Sequence, residues 1–534
     1  MNRPDADKHY PIDLDRLPAG WVAANVGEII FDIQPGFASG VHNQDGLGVP
    51  HLRPMNIDRE GRLDFSVLKY VPPGDPLRIA RGDILFNNTN SPELVGKTTS
   101  IDRDGEWAFS NHMTRLRPPD GIAGKFVAHQ LHFLWTAGYF RNRCTHHVNQ
   151  ASIASKTLAE TVPLAVPPTG EQHRIVAEIE KQFTRLDAAV AALKRIQANL
   201  RRYRASVLKA ACEGRLVPIE AELARAEGGE YEPADSLLTR ILKERRAKWE
   251  ADQLAKMQVA GKAPRDDKWK AMYPEPVASN TSTLSDLPER WTWASLDQCF
   301  VLERGRFSIR PRNDPRYYDG LYPFVQIGDL PRGGGRIYRY SQTLNEDGLA
   351  VSKMFPKGTV LIAIVGATIG NTGILTFDSC CPDSLIAIRS NDEIRLRYAE
   401  MYLRLKKLEI RESSYASGGQ PNINLNTLLP YPIPLPPVDE QNRIVSEVER
   451  RLSVIDEFES MVADGLKRAE RLRQCILKHA FEAKLVAQDP NDEPANALLE
   501  RIRAEREKAG VGDGTRKPRM LRRRGMAAEP SIRG

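Results

Sequence analysis

The stretch VPPTGEQHRIV at Val166–Val176 returns as LPPVDEQNRIV at Leu435–Val445, about half of a 534-residue chain later. Internal repetition is the first thing to test in a sequence, because a missed repeat misreads the whole fold. Downstream of the motif the two copies stay in register without a gap. Glu171 to Val217 runs against Glu440 to Val486, closing on LKAACEGRLV and LKHAFEAKLV. Upstream, Leu17, Pro18 and Trp21 of LPAGWVAANVGEII answer to Leu287, Pro288 and Trp291 of LPERWTWASLDQCF. ARGDILFNNTN (80–90) resembles PKGTVLIAIVG (356–366), and NQASIASKTL (149–158) pairs with GQPNINLNTL (419–428). EPADSLLTRI (232–241) repeats as EPANALLERI (493–502). Five blocks in one order establish a tandem duplication.

Each repeat changes character partway. The part before the motif holds short β-leaning runs such as GDILF and SLIAIRS between stretches of Gly, Pro and Asn, which predicts a mixed α+β globular unit. Proline pairs then stop the strand and precede a helix, with Glu171 and Glu440 at its positive end. Ile175, Ile179, Leu186, Val190, Leu193, Leu200 and Val207 recur at heptad-like spacing, as do Ile444, Val448, Ile455, Val462, Leu466, Ala469 and Ile476. Such stripes predict long helices over 171–211 and 440–482, packed antiparallel as a coiled coil. About 40 residues would make a rod of roughly 60 Å. The expected fold is therefore α+β: two globular domains related by a pseudo-two-fold axis and joined by the two helices. The expected boundaries are 1–165 for the first domain and 166–285 for a central helical spacer with a Pro/Ser/Thr linker. The second domain follows over 286–434, then a helical spacer over 435–508 and a basic, disordered tail over 509–534.

The formal charge of +7 and a pI near 9.0 favour a polyanionic partner once a binding architecture is in place. No apolar run approaches the length of a membrane span, and the opening MNRPDADKHYPIDLDRLPAGW lacks a secretory h-region, so a cytoplasmic protein is expected. Six cysteines without a CxxC pair fit a reducing compartment. HQLH (129–132) and THH (145–147) offer imidazoles, but no metal is expected on them. GKTT (96–99) has Ser91 where a phosphate loop needs glycine, and RGGGR (332–336) lacks dinucleotide spacing. G-x-S-x-G, H-E-x-x-H, amino-methylating and nuclease signatures are missing as well. A binder without catalytic residues is the expectation.

Two variable units, each closing on the proline–glutamate–glutamine motif and a long helix, resemble the specificity subunit of type I restriction-modification systems. YPIPLPPVDEQNRIVSEVE is close to that family's signature, VPLAVPPTGEQHRIVAEIE is a near copy, and EPADSLLTRILKERRAKWE looks like its central spacer. The resemblance implies two target-recognition domains that each read one half of an asymmetric, split site on double-stranded DNA. It also implies two methyltransferase subunits that use S-adenosylmethionine on adenine, and a restriction/translocase subunit that uses ATP and Mg. No cofactor falls to this chain.

Arg and Lys suit guanine and Asn and Gln suit adenine in the major groove. The candidate reading residues are therefore Gln44, Arg53, Asn87, Asn88, Asn90 and Lys97 in the first unit. In the second they are Arg304, Arg306, Arg310, Arg312, Gln326 and Arg332. Pro168, Glu171, Gln172 and Arg174, with Pro437, Glu440, Gln441 and Arg443, are expected to be architectural. Two rival readings are a coiled-coil scaffold with duplicated protein-binding domains and a self-sufficient restriction–methylation enzyme. The second would need a catalytic core for which the repeats leave no room.

Overall fold

A computed structural model of the chain describes residues 10–73, 78–148, 150–261, 264, 266–331, 334–413 and 423–508. Its contacts form two compact units, one from the chain up to Leu193 together with the part from Ala463 onward, the other Lys194–Val462. These divisions fall inside the two long helices rather than at the boundaries read from sequence.

In the first unit, Val22–Asn25 pairs antiparallel with Pro163–Val166. The prolines after Val166 cannot extend that ladder, and the chain turns into a helix instead. The central sheet has four strands in the order Asp32–Pro35, Met113–Arg117, Ile84–Asn87, Thr98–Ser100, all neighbours antiparallel. Side chains alternate across it. Ile84 and Phe86 join the core around the helix Gly124–Thr136, while Leu85 and Met113 face a smaller cluster with Leu52, Ile57 and Phe109. Apolar cover on both faces explains why the whole strand is apolar until Asn87.

The second unit repeats this plan. Thr292–Ser295 pairs with Pro432–Leu435, and a central sheet runs Val301–Arg304, Leu385–Arg389, Val360–Ala363, Thr372–Leu375, with Arg336–Ile337 added in parallel. The helix Glu393–Leu405 covers it. A reciprocal cap starts the short helix after Ser295: Gln298 N–H donates to Ser295 Oγ at 3.0 Å and Ser295 N–H to Gln298 Oε1 at 2.8 Å.

The long helices span Thr169–Cys212 and Val438–Phe481, two residues from the predicted starts and one from the predicted ends. Within the first unit Asp187 pairs with Arg473, whose guanidinium lies 4.3 Å from the Phe183 ring. Leu193 Cδ1 there stands 3.1 Å from where a Cβ on Gly465 would be, so a glycine permits the close approach. Residue numbers rise on one helix as they fall on the other, which makes the packing antiparallel. The second unit repeats the sense: Arg204 meets Asp456 and Glu459, and Arg443 meets Glu220. Ile175, Ile179, Leu186 and Val207 are buried, as are Ile444, Val448, Ile455, Val462, Ala469 and Ile476. Val190, Leu193, Leu200 and Leu466 are half-buried.

The central helix Ala234–Val259 belongs to the second unit. Leu237 and Ile241 enter its core, Arg245 bonds Asp297 at 2.9 Å, and Trp249 stacks on Trp269 at 5.9 Å. The Pro/Ser/Thr linker over 273–286 is tied at its start. Tyr273 is buried, Val277 N–H donates to Asp297 Oδ2 at 2.9 Å, and Ser295 Oγ–H donates to the Val277 carbonyl. The tail 509–534 lies outside the described residues. No helix among the described residues is long and apolar enough to cross a membrane.

Candidate nucleic-acid interface

The repeated motif is a clamp. Pro168 and Pro437 each accept the first helical N–H, from Gln172 and Gln441, at 3.0 Å. Gln172 donates to the Pro167 carbonyl at 3.0 Å and accepts from Ala123 N–H at 2.8 Å; Gln441 donates to the Pro436 carbonyl at 2.7 Å. The Trp21 indole N–H donates to Glu171 Oε2 at 3.0 Å, and the Trp291 indole to Glu440 Oε1 at 3.0 Å. Arg174 pairs with Asp492 at 2.6 Å and Arg443 with Glu220. Burial raises both glutamates above the usual carboxylate range. Each long helix is thus fixed to the strand that opens its own repeat.

A second, smaller sheet in each unit leads into one reading candidate, Arg53 in the first and Gln326 in the second. In the first unit Val49–Leu52 pairs in parallel with Ala108–Phe109 and antiparallel with Tyr70–Val71. In the second, Tyr318–Phe324 pairs in parallel with Ser379–Cys380 and antiparallel with Gln342–Leu344. The preceding loop enters each unit past a glycine without room for a side chain. A Cβ on Gly36 would stand 2.3 Å from the Phe109 carbonyl oxygen, and one on Gly305 2.2 Å from that of Pro382. Gly36→Ala and Gly305→Ala are therefore each expected to cost ~1–3 kcal/mol by overpacking, read by chemical denaturation of the full chain.

Arg53 and Gln326 occupy equivalent places just past the parallel-paired strand, Arg53 next to Leu52 and Gln326 separated from Phe324 by Val325. Arg53 N–H donates to Asn56 Oδ1 at 3.0 Å, and Gln326 N–H to Asp329 Oδ2 at 2.8 Å. Asn56 and Asp329 thus fix the backbone of the two candidates and leave their side chains to other work. Around Arg53 the rings of His42 and His51 touch, Nε2 to Nδ1 at 3.1 Å. Desolvation holds His51 down to about 4, and partial burial followed by the Lys69 and Arg53 cations lowers His42. His51 is therefore neutral near pH 7, leaving Arg53 and Lys69 as the cations of this patch.

In the second unit Gln326 lines a cleft of about 370 Å³ together with Phe307, Arg312, Tyr318, Phe324 and Gln342. Gln326 Nε2 donates to Gln342 Oε1. Arg304 donates to the Asp383 carbonyl at 2.6 Å, and Arg310 and Arg312 bond its carboxylate at 3.3 and 2.6 Å. One carboxylate cannot neutralise these guanidinium groups, so the rim keeps positive charge. Arg306 is turned inward to the Ser352 carbonyl at 2.8 Å and pins the loop.

The other candidates divide. Gln44 is exposed, and half-buried Asn90 uses its Oδ1 to hold Ser91 N–H at 2.8 Å. Asn87, Asn88 and Lys97 do not lie on a reading surface. Asn87 donates to the Leu94 carbonyl at 2.8 Å, Asn88 to Thr114 Oγ1 at 3.0 Å, and the Lys97 ammonium to the carbonyls of Pro54 and Ile57. All three are buried and satisfy main-chain or hydroxyl groups inside the unit. Arg332 lies outside the described residues. Beside Gln326 and Arg53 stand Gln342 and Lys69, across the sheet from Phe324 and His51, which carry no local signature in the sequence. Exposed Arg336, Tyr338, Arg339 and Tyr340 also stand outside the candidates, and their alternation of basic and aromatic residues is a usable sign. His129 and His132 sit on the helix Gly124–Thr136, and the described residues contain no group of three or more metal-binding side chains.

Residues 288–459 match the family described as type I restriction modification DNA specificity domain. The chain is 24% identical over 485 residues to the specificity subunit of the type I restriction enzyme EcoDI of Escherichia coli, covering 84% of this chain and 97% of that protein. It is 23% identical over 526 residues to the EcoKI specificity subunit of Escherichia coli strain K12, covering 94% and 99%. A solved chain from a study of complex assembly and conformational transition of the type I R-M system shares the fold. Its TM-score is 0.56 at 20% identity, over 88% of this chain and 99% of that one.

Proposed function

We propose, from the match of residues 288–459 to the family described as type I restriction modification DNA specificity domain, that this chain is the non-catalytic recognition subunit of a type I restriction-modification complex. It binds double-stranded DNA at an asymmetric, bipartite site, one half per unit. Two methyltransferase subunits carry S-adenosylmethionine and methylate adenine, a restriction/translocase subunit uses ATP and Mg, and the complex works in the cytoplasm. The observation that carries this reading is the duplicated framework itself. The same strand, cap and glycine recur in both units, while the side chains displayed differ, Arg53 in one and Gln326 in the other. Two similar frames with different side chains suit two different half-sites. A scaffold of protein-binding domains has no support in the matches, since the relatives named are specificity subunits.

Phosphate contacts position a protein on the duplex, and base contacts specify the sequence. Exchanging residues 17–160 for the equivalent segment of a relative should therefore change one half of the methylated site and leave the other intact. Methylome sequencing reads this directly. Altered bases in both halves would end the one-unit, one-half-site reading.

A further inference from the structure

The two units differ at one structurally equivalent pair of side chains. Across from the parallel-paired strand, Phe324 is register partner of Gln342, and His51 N–H donates to the Lys69 carbonyl at 2.8 Å. Arg53 with Lys69 in one unit therefore stands where Gln326 with Gln342 stands in the other. An aromatic ring backs each pair from the loop after the crowded glycine: Phe37 lies 5.0 Å from His51, and Phe307 lies 5.1 Å from Phe324.

The chemistry of the pairs is opposite. With Gln326 Nε2 bonded to Gln342 Oε1, Gln326 Oε1 stays free to accept and the Gln342 amide NH2 stays free to donate. Exchanging both amide orientations still leaves one acceptor and one donor. Adenine shows a donor at N6 and an acceptor at N7 in the major groove, the complement of that pair. Arg53 and Lys69 hold donors only. No carboxylate among the described residues pairs with either, and the Arg53 guanidinium meets the Met55 sulfur at 3.2 Å. Guanine offers two acceptors there, O6 and N7, and no donor.

We infer that this shared position reads one base pair in each half-site, an A·T pair through Gln326 and Gln342 and a G·C pair through Arg53 and Lys69. The inference rests on the DNA-recognition reading above and adds to it which residues specify which class of base.

The test is selection from a randomised duplex library by the full chain in complex with its methyltransferase subunits, at fixed salt. Gln326→Ala with Gln342→Ala should relax one A·T position by roughly tenfold and leave the other half-site unchanged. Arg53→Ala with Lys69→Ala should relax one G·C position in the opposite half by a similar factor. The half-site that each double variant leaves alone shows that the protein is still folded and assembled. A bipartite motif that neither double variant alters, or a relaxed position of the wrong base class, overturns the assignment while the recognition function stands. Binding by the wild-type complex that enriches no motif overturns both.

Discussion

Taken from pH 7 toward pH 4.5, the protein is expected to lose its first unit while the second stays folded. All ten histidines of the chain lie outside Lys194–Val462, so the second unit has none. In the first unit His51 and His132 are buried; desolvation is the main cause that holds His51 down to about 4 and His132 down to about 3. Once unfolded, both imidazoles return to the usual range near 6.5. Between those values the unfolded state binds more protons, so stability is lost as pH falls. Two groups at about 1.4 kcal/mol per pH unit amount to on the order of 5 kcal/mol by pH 4.5. That rivals the whole stability of a modest domain. Glu171 and Glu440, both raised by burial, move the opposite way, but each unit holds one, so they cancel from the comparison. Peptide-resolved hydrogen exchange, corrected for its intrinsic pH dependence, should show deprotection of Val22–Val166 first. Deprotection of Thr292–Leu435 first, or of both together, would refute it.

The same amide substitution at the two motif glutamates should have unequal cost. Glu440 uses both oxygens, one for the Trp291 indole N–H and one for Glu220 N–H at 3.0 Å. Glutamine has a single acceptor, so Glu440→Gln leaves one donor facing an NH2 group inside the protein. That should destabilise the second unit by ~2–3 kcal/mol. Glu171 uses one oxygen for Trp21, and its Oε1 is buried without a partner. Glu171→Gln keeps the indole bond, so a change of about 1 kcal/mol or less is expected. The reason for the difference is readable in the chain. Between the long helix and its following EPA motif the first repeat inserts a helix, Glu220–Glu227, whose first N–H serves Glu440. The second repeat is shorter at this place, and Asp492 supplies only the partner for Arg174. Denaturation curves of the two single variants decide it; equal midpoints would show that the two clamps are energetically alike.

The duplication, the helix starts and the antiparallel pairing were legible because they rest on proline stops, capping chemistry and heptad stripes, all of which are local. The reading surface was less so. Asn87 is a candidate by residue type, yet it ends a strand buried on both faces, and its amide is spent on Leu94. Polarity alone does not tell a side chain that closes a turn from one that faces solvent. Gln326 was named for its residue type; its equivalence with Arg53 rests on backbone pairing, because insertions between the repeats shift the register there. Gln342 and Lys69 were invisible for the same reason: what selects them is the strand across from them, far away in the chain.

The two units also differ in when they can be completed. The second is one continuous span, Lys194–Val462, whereas the first needs Ile476, Leu477, Phe481, Leu498 and Ile502 to fill its core. Domains fold as units while the chain emerges at roughly 5–20 residues per second. On the ribosome, the half that is made first must therefore wait, its apolar face open, while the later half closes ahead of it. Nascent chains stalled beyond Val462 should carry a finished second unit and a first unit that chaperones still hold. A frameshift in the last long helix would then remove the function of the opposite end of the gene.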